Sequence, residues 1–340
     1  MDMPTMQNDL EKEFLTLIQK GFPVTERPFA ELAETLGSTE TELINLYRRL
    51  RDEKIIRQTS AIFDTKSLGY KSSLVAFKVG DIDAAAEIIN AHPGVSHNYE
   101  RDNPYNLWFT IAVAPDSKLG LEKTVELLAE KSGAESFIIL PTKKMFKISV
   151  QLDMKGDRAK KEKVRRREKV PMELTPMHME MIKGLQENIE ATERPFAPLV
   201  EALGIDHDTL AAETERLKKA GYMRRFASIL YHRKAGFTAN AMVVWKVPEE
   251  RAESIGETVA AYSAVSHCYL RPVFPEWPYP LFSMVHGKSK EEVEAVVEEM
   301  AGEIGVEEYS YLYSTREFKK VRIRYFSPEF EAWEAEALSA

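Results

Sequence analysis

The chain contains one pattern twice. Thr25-Glu26-Arg27-Pro28-Phe29-Ala30 recurs letter for letter as Thr192-Glu193-Arg194-Pro195-Phe196-Ala197. Further on, Ile56-Arg57 answers to Met223-Arg224 and Gly69-Tyr70 to Gly236-Phe237. Ser96-His97-Asn98-Tyr99-Glu100-Arg101 answers to Ser266-His267-Cys268-Tyr269-Leu270-Arg271. Leu140 and Phe146-Lys147 pair in turn with Leu312 and Phe318-Lys319. Matches in constant order, with small drifts in spacing, indicate a duplication with loop insertions. A chain built this way folds as two copies of one unit, and 340 residues leave room for two to four domains, each with its own core.

Within each copy the local signals change once. Leu32, Leu36, Leu43, Leu46 and Leu50 fall at helical spacings, and Gly37-Ser38 breaks one helix and caps the next. Ile55 to Phe63 reads as a short hairpin or wing. From Ser73 to Leu140 the order becomes strand, helix, strand, strand, helix, strand, the ferredoxin-like βαββαβ arrangement, and it returns between Ala241 and Tyr313. The expectation is an α+β chain: a tandem repeat of winged helix-turn-helix plus ferredoxin-like domain. Its boundaries are a winged helix-turn-helix at 1–66, a ferredoxin-like domain at 67–150, a basic linker at 151–172, a second winged helix-turn-helix at 173–234 and a second ferredoxin-like domain at 235–330.

Charge and cysteine content narrow the function classes. The net charge is −8, yet residues 151–170 carry nine Lys/Arg against four Asp/Glu, so the basic excess sits in the connector rather than on a folded surface. Cys268 is the only cysteine, which excludes an intramolecular disulfide or a multi-cysteine metal site. No apolar run reaches membrane-span length and the first residues lack a secretory pattern, so a cytoplasmic location is expected.

A helix-turn-helix followed by a ferredoxin-like domain resembles the Lrp/AsnC regulators, whose ferredoxin-like domains pair across a dimer; the resemblance implies that the two halves here pack as an intramolecular pseudo-dimer, sheet against sheet. The detailed words resemble a narrower family, the siroheme decarboxylases. Phe22-Pro23 to Ala30, Phe63-Asp64 to Gly69-Tyr70-Lys71-Ser72, His92-Pro93-Gly94-Val95-Ser96-His97-Asn98-Tyr99 and Tyr105 to Thr110 look like the AhbA/NirD type of subunit. His232-Arg233, Ala239 to Met242, Val265 to Arg271, Trp277-Pro278-Tyr279 and Met284-Val285-His286-Gly287 look like its AhbB/NirL partner. Both subunit types thus stand fused in one polypeptide. The resemblance implies removal of two acetate carboxylates from siroheme, giving 12,18-didecarboxysiroheme and CO2 on the way to heme or heme d1.

That reaction needs a proton donor for the carbon left behind and cations for the carboxylates around the macrocycle. Histidine and arginine are the natural choices. Alternate residues of a strand share a face, so His97, Tyr99 and Arg101 point one way, as do His267, Tyr269 and Arg271. The second copy is richer: Arg224, Ser228 and His232 share parity if that run stays extended, whereas Gln58 stands in the first copy where Arg225 stands in the second. His267 and His232 are accordingly the candidate proton donors, with Arg271 and Tyr269 beside them as catalytic candidates. Arg224, Arg225, Arg233, Trp245, His286, Lys319, His97, Tyr99, Arg101 and Arg57 are the candidates for substrate binding. His232 or His286 is the candidate ligand of the siroheme iron. The protein itself is expected to hold no metal and to need no cofactor beyond that iron. Trp277-Pro278-Tyr279 reads as a rigid loop, either a wall for the macrocycle or a packed turn.

Two rival readings use the same features. A heme-responsive, DNA-binding regulator needs surplus positive charge on its recognition helices. Residues 38–54 are balanced, and residues 206–220 are net negative by one, with four acidic residues against three basic. A carrier without catalysis would use the same pocket. The expected partners are siroheme and its decarboxylated intermediates, with downstream tetrapyrrole-pathway enzymes and self-association as further expectations; DNA and membranes are not expected.

Overall fold

The computed structural model describes residues 3–148, 170–231 and 239–339. The first half runs α1 (Met3–Lys20), α2 (Pro28–Leu36), α3 (Glu40–Asp52), β1 (Ile56–Phe63), β2 (Lys71–Lys78), α4 (Ile82–Asn90), β3 (Val95–Arg101), β4 (Leu107–Val113), α5 (Gly120–Lys131), β5 (Ser136–Pro141) and β6 (Lys144–Ile148). The second runs α6 (Pro176–Leu185), α7 (Ala197–Leu203), α8 (His207–Ala220), β7 (Met223–Leu230), β8 (Ala239–Trp245), α9 (Ala252–Ala261), β9 (Val265–Leu270), β10 (Leu281–Gly287), α10 (Lys290–Ile304), β11 (Tyr309–Leu312), β12 (Ser314–Lys320) and α11 (Glu329–Ser339). The α+β class and the repeated βαββαβ order are as the repeat implies.

The chain divides into two compact units, and each contains parts of both halves. One collects the helix-turn-helix elements together with Arg324–Ser327. The other collects both ferredoxin-like sheets and α11.

In the helix-turn-helix unit the turn between α2 and α3 follows from its residues. Gly37 ends α2 with φ of 63°, a left-handed conformation that suits glycine, and the Thr39 side chain accepts the Glu42 amide to start α3. Gly204 and Asp206 do the same between α7 and α8. The twice-written sequence word meets itself here. Arg27 reaches Glu193 at 3.1 Å and Arg194 reaches Glu26 at 2.9 Å, while Phe29 and Phe196 are buried on either side of the Phe22–Phe226 contact. The segment expected to form a wing hairpin does something else. β1 pairs antiparallel with β7 of the other half, from Ile56 opposite Leu230 to Phe63 opposite Met223. Each copy supplies one strand, so the pairing that a local hairpin would have satisfied is satisfied between copies.

The ferredoxin-like unit carries the same exchange further. Its two five-stranded sheets have the orders β12-β3-β4-β2-β5 and β11-β8-β10-β9-β6. The last strand of each half therefore completes the sheet of the other: β6 pairs with β9, and β12 with β3. On one face each sheet buries its own helices, with Val75, Phe109 and Val125 central in the first half and Val243, Val265 and Val297 in the second. On the other face the sheets share one apolar cluster. Leu74, Trp108, Ile138 and Leu140 meet Val244, Trp277, Phe282 and Leu312, with the Trp108 and Trp277 rings 5.1 Å apart. The intramolecular pseudo-dimer is thus sheet against sheet, with exchanged edge strands. Of the two readings of Trp277, the packed one holds: it is a core residue at 3 % exposure.

Candidate active site

Strand β9 sorts its residues by face. Cys268 points to the helix side and is fully buried, and burial pushes its thiol upward, out of the range of a reactive thiolate. His267 and Tyr269 lie on the opposite face with ring centroids 6.1 Å apart, and the Arg271 guanidinium stands 5.1 Å from the Tyr269 ring. Neighbouring β10 sets Met284 opposite His267 and carries His286 two residues on. Met284 is opposite His267 while Val285 is already opposite Val265, so Ser266 is the extra residue of a β-bulge. The bulge re-aims its hydroxyl. Ser266 Oγ lies 2.7 Å from His267 Nδ1 and 2.6 Å from His286 Nε2, and Ser266 is only 5 % exposed. Two half-buried imidazoles are thereby joined through one buried hydroxyl.

The first half repeats the frame without the second imidazole. A bulge at Ser96 lies between the Val95–Ile111 and His97–Thr110 pairs. His97 and Tyr99 are 6.2 Å apart, and the Arg101 guanidinium stands 5.6 Å from the Tyr99 ring. Ser96 Oγ lies 3.0 Å from His97 Nδ1 but finds Thr110 Oγ1, at 2.7 Å, as its other partner. Ala112 occupies the place of His286: its backbone amide donates to the Gly94 carbonyl as the His286 amide donates to Ala264.

Several residues read as catalytic or substrate-binding candidates have structural tasks instead. Arg271, 7 % exposed, donates to the Leu140 carbonyl of the first half, and Arg101, equally buried, donates to the Leu312 carbonyl of the second. Burial pushes both guanidiniums down to about 10, which leaves them charged at neutral pH. They are reciprocal pins between the sheets rather than carboxylate clamps. Lys319 donates to the carbonyls of Asn90 and His92 at the end of α4, at 2.6 and 3.3 Å, and its counterpart Lys147 donates to Tyr262 at the end of α9, at 2.9 Å. A lysine over the exposed carbonyls of a helix end is a cap. Trp245 is fully buried in the helix-side core with its Nε1 donating to Ser283 at 2.9 Å. The ring and the N–H of this substrate-binding candidate are both used inside the protein.

In the helix-turn-helix unit, Arg224 is ion-paired with Asp64 at 2.9 Å. Burial raises the Asp64 carboxyl, but the Ser67 amide and Arg224 outweigh it and the net shift is downward. A bulge at Arg224, between the Ile62–Arg225 and Phe63–Met223 pairs, breaks the parity expected with Ser228, whose hydroxyl is buried against Thr59 at 2.6 Å. Arg225 is half-buried on β7, and that burial lowers its guanidinium from the ordinary value. Arg57 is half-buried on β1. His232 and Arg233 lie outside the described residues. Four basic side chains of the recognition helices are also engaged: Arg48 with the Ala191 carbonyl, Arg49 with Glu11, Arg216 with Glu213 and Lys218 with Glu215. That arrangement does not present a row of cations to phosphates.

Ser266 and Thr110 are the polar residues that sequence reasoning passed over. The signal was present, since serine precedes histidine in both copies of the repeated word. Among the described residues no group of three or more His, Cys, Asp or Glu could hold a metal ion, and no helix is long and apolar enough to cross a membrane. His286 Nε2 is held by Ser266, so ligation of iron through that nitrogen would cost the bond to the hydroxyl.

Comparison with known proteins agrees with this architecture. Residues 67–147 and 234–319 match the AsnC-like ligand binding domain, and residues 11–57 match the siroheme decarboxylase NirDL-like helix-turn-helix domain. The chain is 41 % identical over 337 residues to a siroheme decarboxylase of Hydrogenobacter thermophilus, covering 98 % of this chain and 100 % of that one. It is 32 % identical to the siroheme decarboxylase NirDL subunit of Paracoccus denitrificans, over 92 % of this chain and 96 % of that one. The crystal structure of a siroheme decarboxylase NirDL in complex with an iron-uroporphyrin III analogue matches with a TM-score of 0.78 and 36 % identity, over 97 % of this chain and 99 % of that one.

Proposed function

The chain belongs to the siroheme decarboxylases of the fused NirDL type and is a carboxy-lyase acting on siroheme, and from that premise we propose that the second-half face of His267, Tyr269, Met284 and His286 carries the chemistry. The observation that supports this choice is the imidazole pair joined through Ser266, which the first half lacks. Loss of CO2 breaks the bond between the carboxylate and the methylene carbon, and the electron pair stays on that carbon. The conjugated macrocycle takes up the charge as it develops, so no cofactor beyond the iron tetrapyrrole itself is required. His267 then delivers a proton to the methylene carbon, making it a methyl group. Met284, directly across from His267, gives the acetate an apolar neighbour, and a less hydrated carboxylate loses its charge to CO2 more readily. Tyr269 sits beside His267 and offers a phenolic hydroxyl on the same face.

Two successive losses give 12,18-didecarboxysiroheme. The test is anaerobic incubation with siroheme, following product mass. Wild-type protein should yield a product lighter by two CO2, and His267→Ala should form it on the order of a hundredfold more slowly or worse. Conversion by His267→Ala at the wild-type rate would exclude this histidine as the donor.

A further inference from the structure

Ser266 has one proton and two ring nitrogens within hydrogen-bond distance. A hydroxyl donates one hydrogen bond, so at any moment only one of the two rings can accept from it, and the other must donate an N–H to its oxygen. The tautomers of His267 and His286 are therefore coupled. We propose that Ser266 is a positioning residue of the decarboxylase reaction, setting His267 as the Nε2–H tautomer and linking it to His286 in a proton relay. The inference rests on the assignment of His267 as proton donor.

For His267 to donate from Nε2 while neutral, its Nδ1 must carry a lone pair, which accepts the Ser266 hydroxyl proton at 2.7 Å. The Ser266 oxygen then accepts Nε2–H from His286 at 2.6 Å. When His267 Nε2–H passes its proton to the substrate carbon, Nδ1 takes the hydroxyl proton. Ser266 takes the Nε2 proton of His286, and His286 Nδ1 takes one from water. Each ring nitrogen in the chain loses or gains one N–H bond and Ser266 exchanges one O–H proton for another; both rings end neutral, and water, which supplies the proton that replaces the one sent to carbon, is left as hydroxide carrying the charge of the lost carboxylate. The first half lacks this continuity, because Ser96 passes from His97 to Thr110 and the position of His286 holds Ala112. The bulge at Ser266 is what allows the link, since a regular strand would turn that hydroxyl to the helix side.

The test reads tautomers and turnover on the full chain. In protein labelled with nitrogen-15 at histidine and free of siroheme, His267 should show a protonated Nε2 and an unprotonated Nδ1, and His286 a protonated Nε2. Ser266→Ala should let both rings populate mixed tautomers, and Ser266→Thr, which keeps the hydroxyl, should restore the wild-type pattern. With siroheme, Ser266→Ala and His286→Gln should each lower kcat by roughly ten- to a hundredfold with KM little changed, the range of a general-acid contribution. Ser266→Thr should recover most of the rate. Unchanged histidine spectra and unchanged kcat in Ser266→Ala would overturn the relay. If His267→Ala keeps full activity, the donor assignment itself fails; if His267→Ala is inactive while His286→Gln turns over normally, only the relay fails.

Discussion

The two halves of the ferredoxin-like unit share a frame and differ in its contents. Arg101 and Arg271 make the same pin to opposite carbonyls, Lys319 and Lys147 cap equivalent helices, and Ser96 and Ser266 occupy equivalent bulges. What differs is the second partner of each serine, a threonine hydroxyl in one half and an imidazole in the other. The residues that hold the copies together are alike, because each must meet its counterpart. The positions beside the histidines differ: Thr110 and Ala112 in the first half stand where Met284 and His286 stand in the second.

The contrast can be tested most strongly on activity. His267→Ala should lower kcat on the order of a hundredfold or more, while His97→Ala should lower it only a few-fold, measured by siroheme consumption. Equal losses would make the halves functionally equivalent. Next, Arg101→Leu and Arg271→Leu should each leave a buried carbonyl unpaired and cost about 2 kcal/mol in denaturant unfolding. The two costs should match, and a large inequality would break the symmetry of the pins.

A third difference is sensitivity to acid. His92 is buried beside Trp333 at 4.3 Å, and burial, helped by Lys319, pushes it down to about 3. Its counterpart beneath Lys147 is Tyr262, which bonds Glu303 instead. The unfolded chain takes up a proton at this histidine near its ordinary value of about 6.5 while the folded chain stays neutral. Stability therefore falls as pH drops from about 6.5 towards 3, by at most about 1.4 kcal/mol per pH unit from this group. His92→Asn should flatten that slope in urea titrations between about pH 6 and 5. The smallest effect is expected from Trp245→Phe, which copies Phe77 of the first half. It removes the bond to Ser283 and should cost about 1 kcal/mol without changing kcat.

Much of the fold was legible because the repeat constrains it: strand order, helix order and the shared face of His267 and Tyr269 all follow from local pattern. The exchange of β6 and β12 was not. Phe146-Lys147 and Phe318-Lys319 stood out as matched words, but a strand's partner depends on which edge is open nearby, and no local periodicity carries that. At the candidate site the shared face of His267 and Tyr269 was legible from strand alternation, and the backbone partners of the long cations were not. Arg101, Arg271 and Lys319 have the chemistry of carboxylate ligands, yet a buried backbone carbonyl can use the same donors. Trp245 was misread for the related reason that its ring and N–H both find partners in the core.

The crossed edge strands have a consequence for covalent continuity. A cut between residues 148 and 170 would leave β6 on the first fragment and β12 on the second, each still completing the other's sheet. Neither fragment alone would have a closed set of strands, so the pieces would fold by complementing each other. The peptide connection raises the effective concentration of one half around the other, but the interlocked strands alone specify the match.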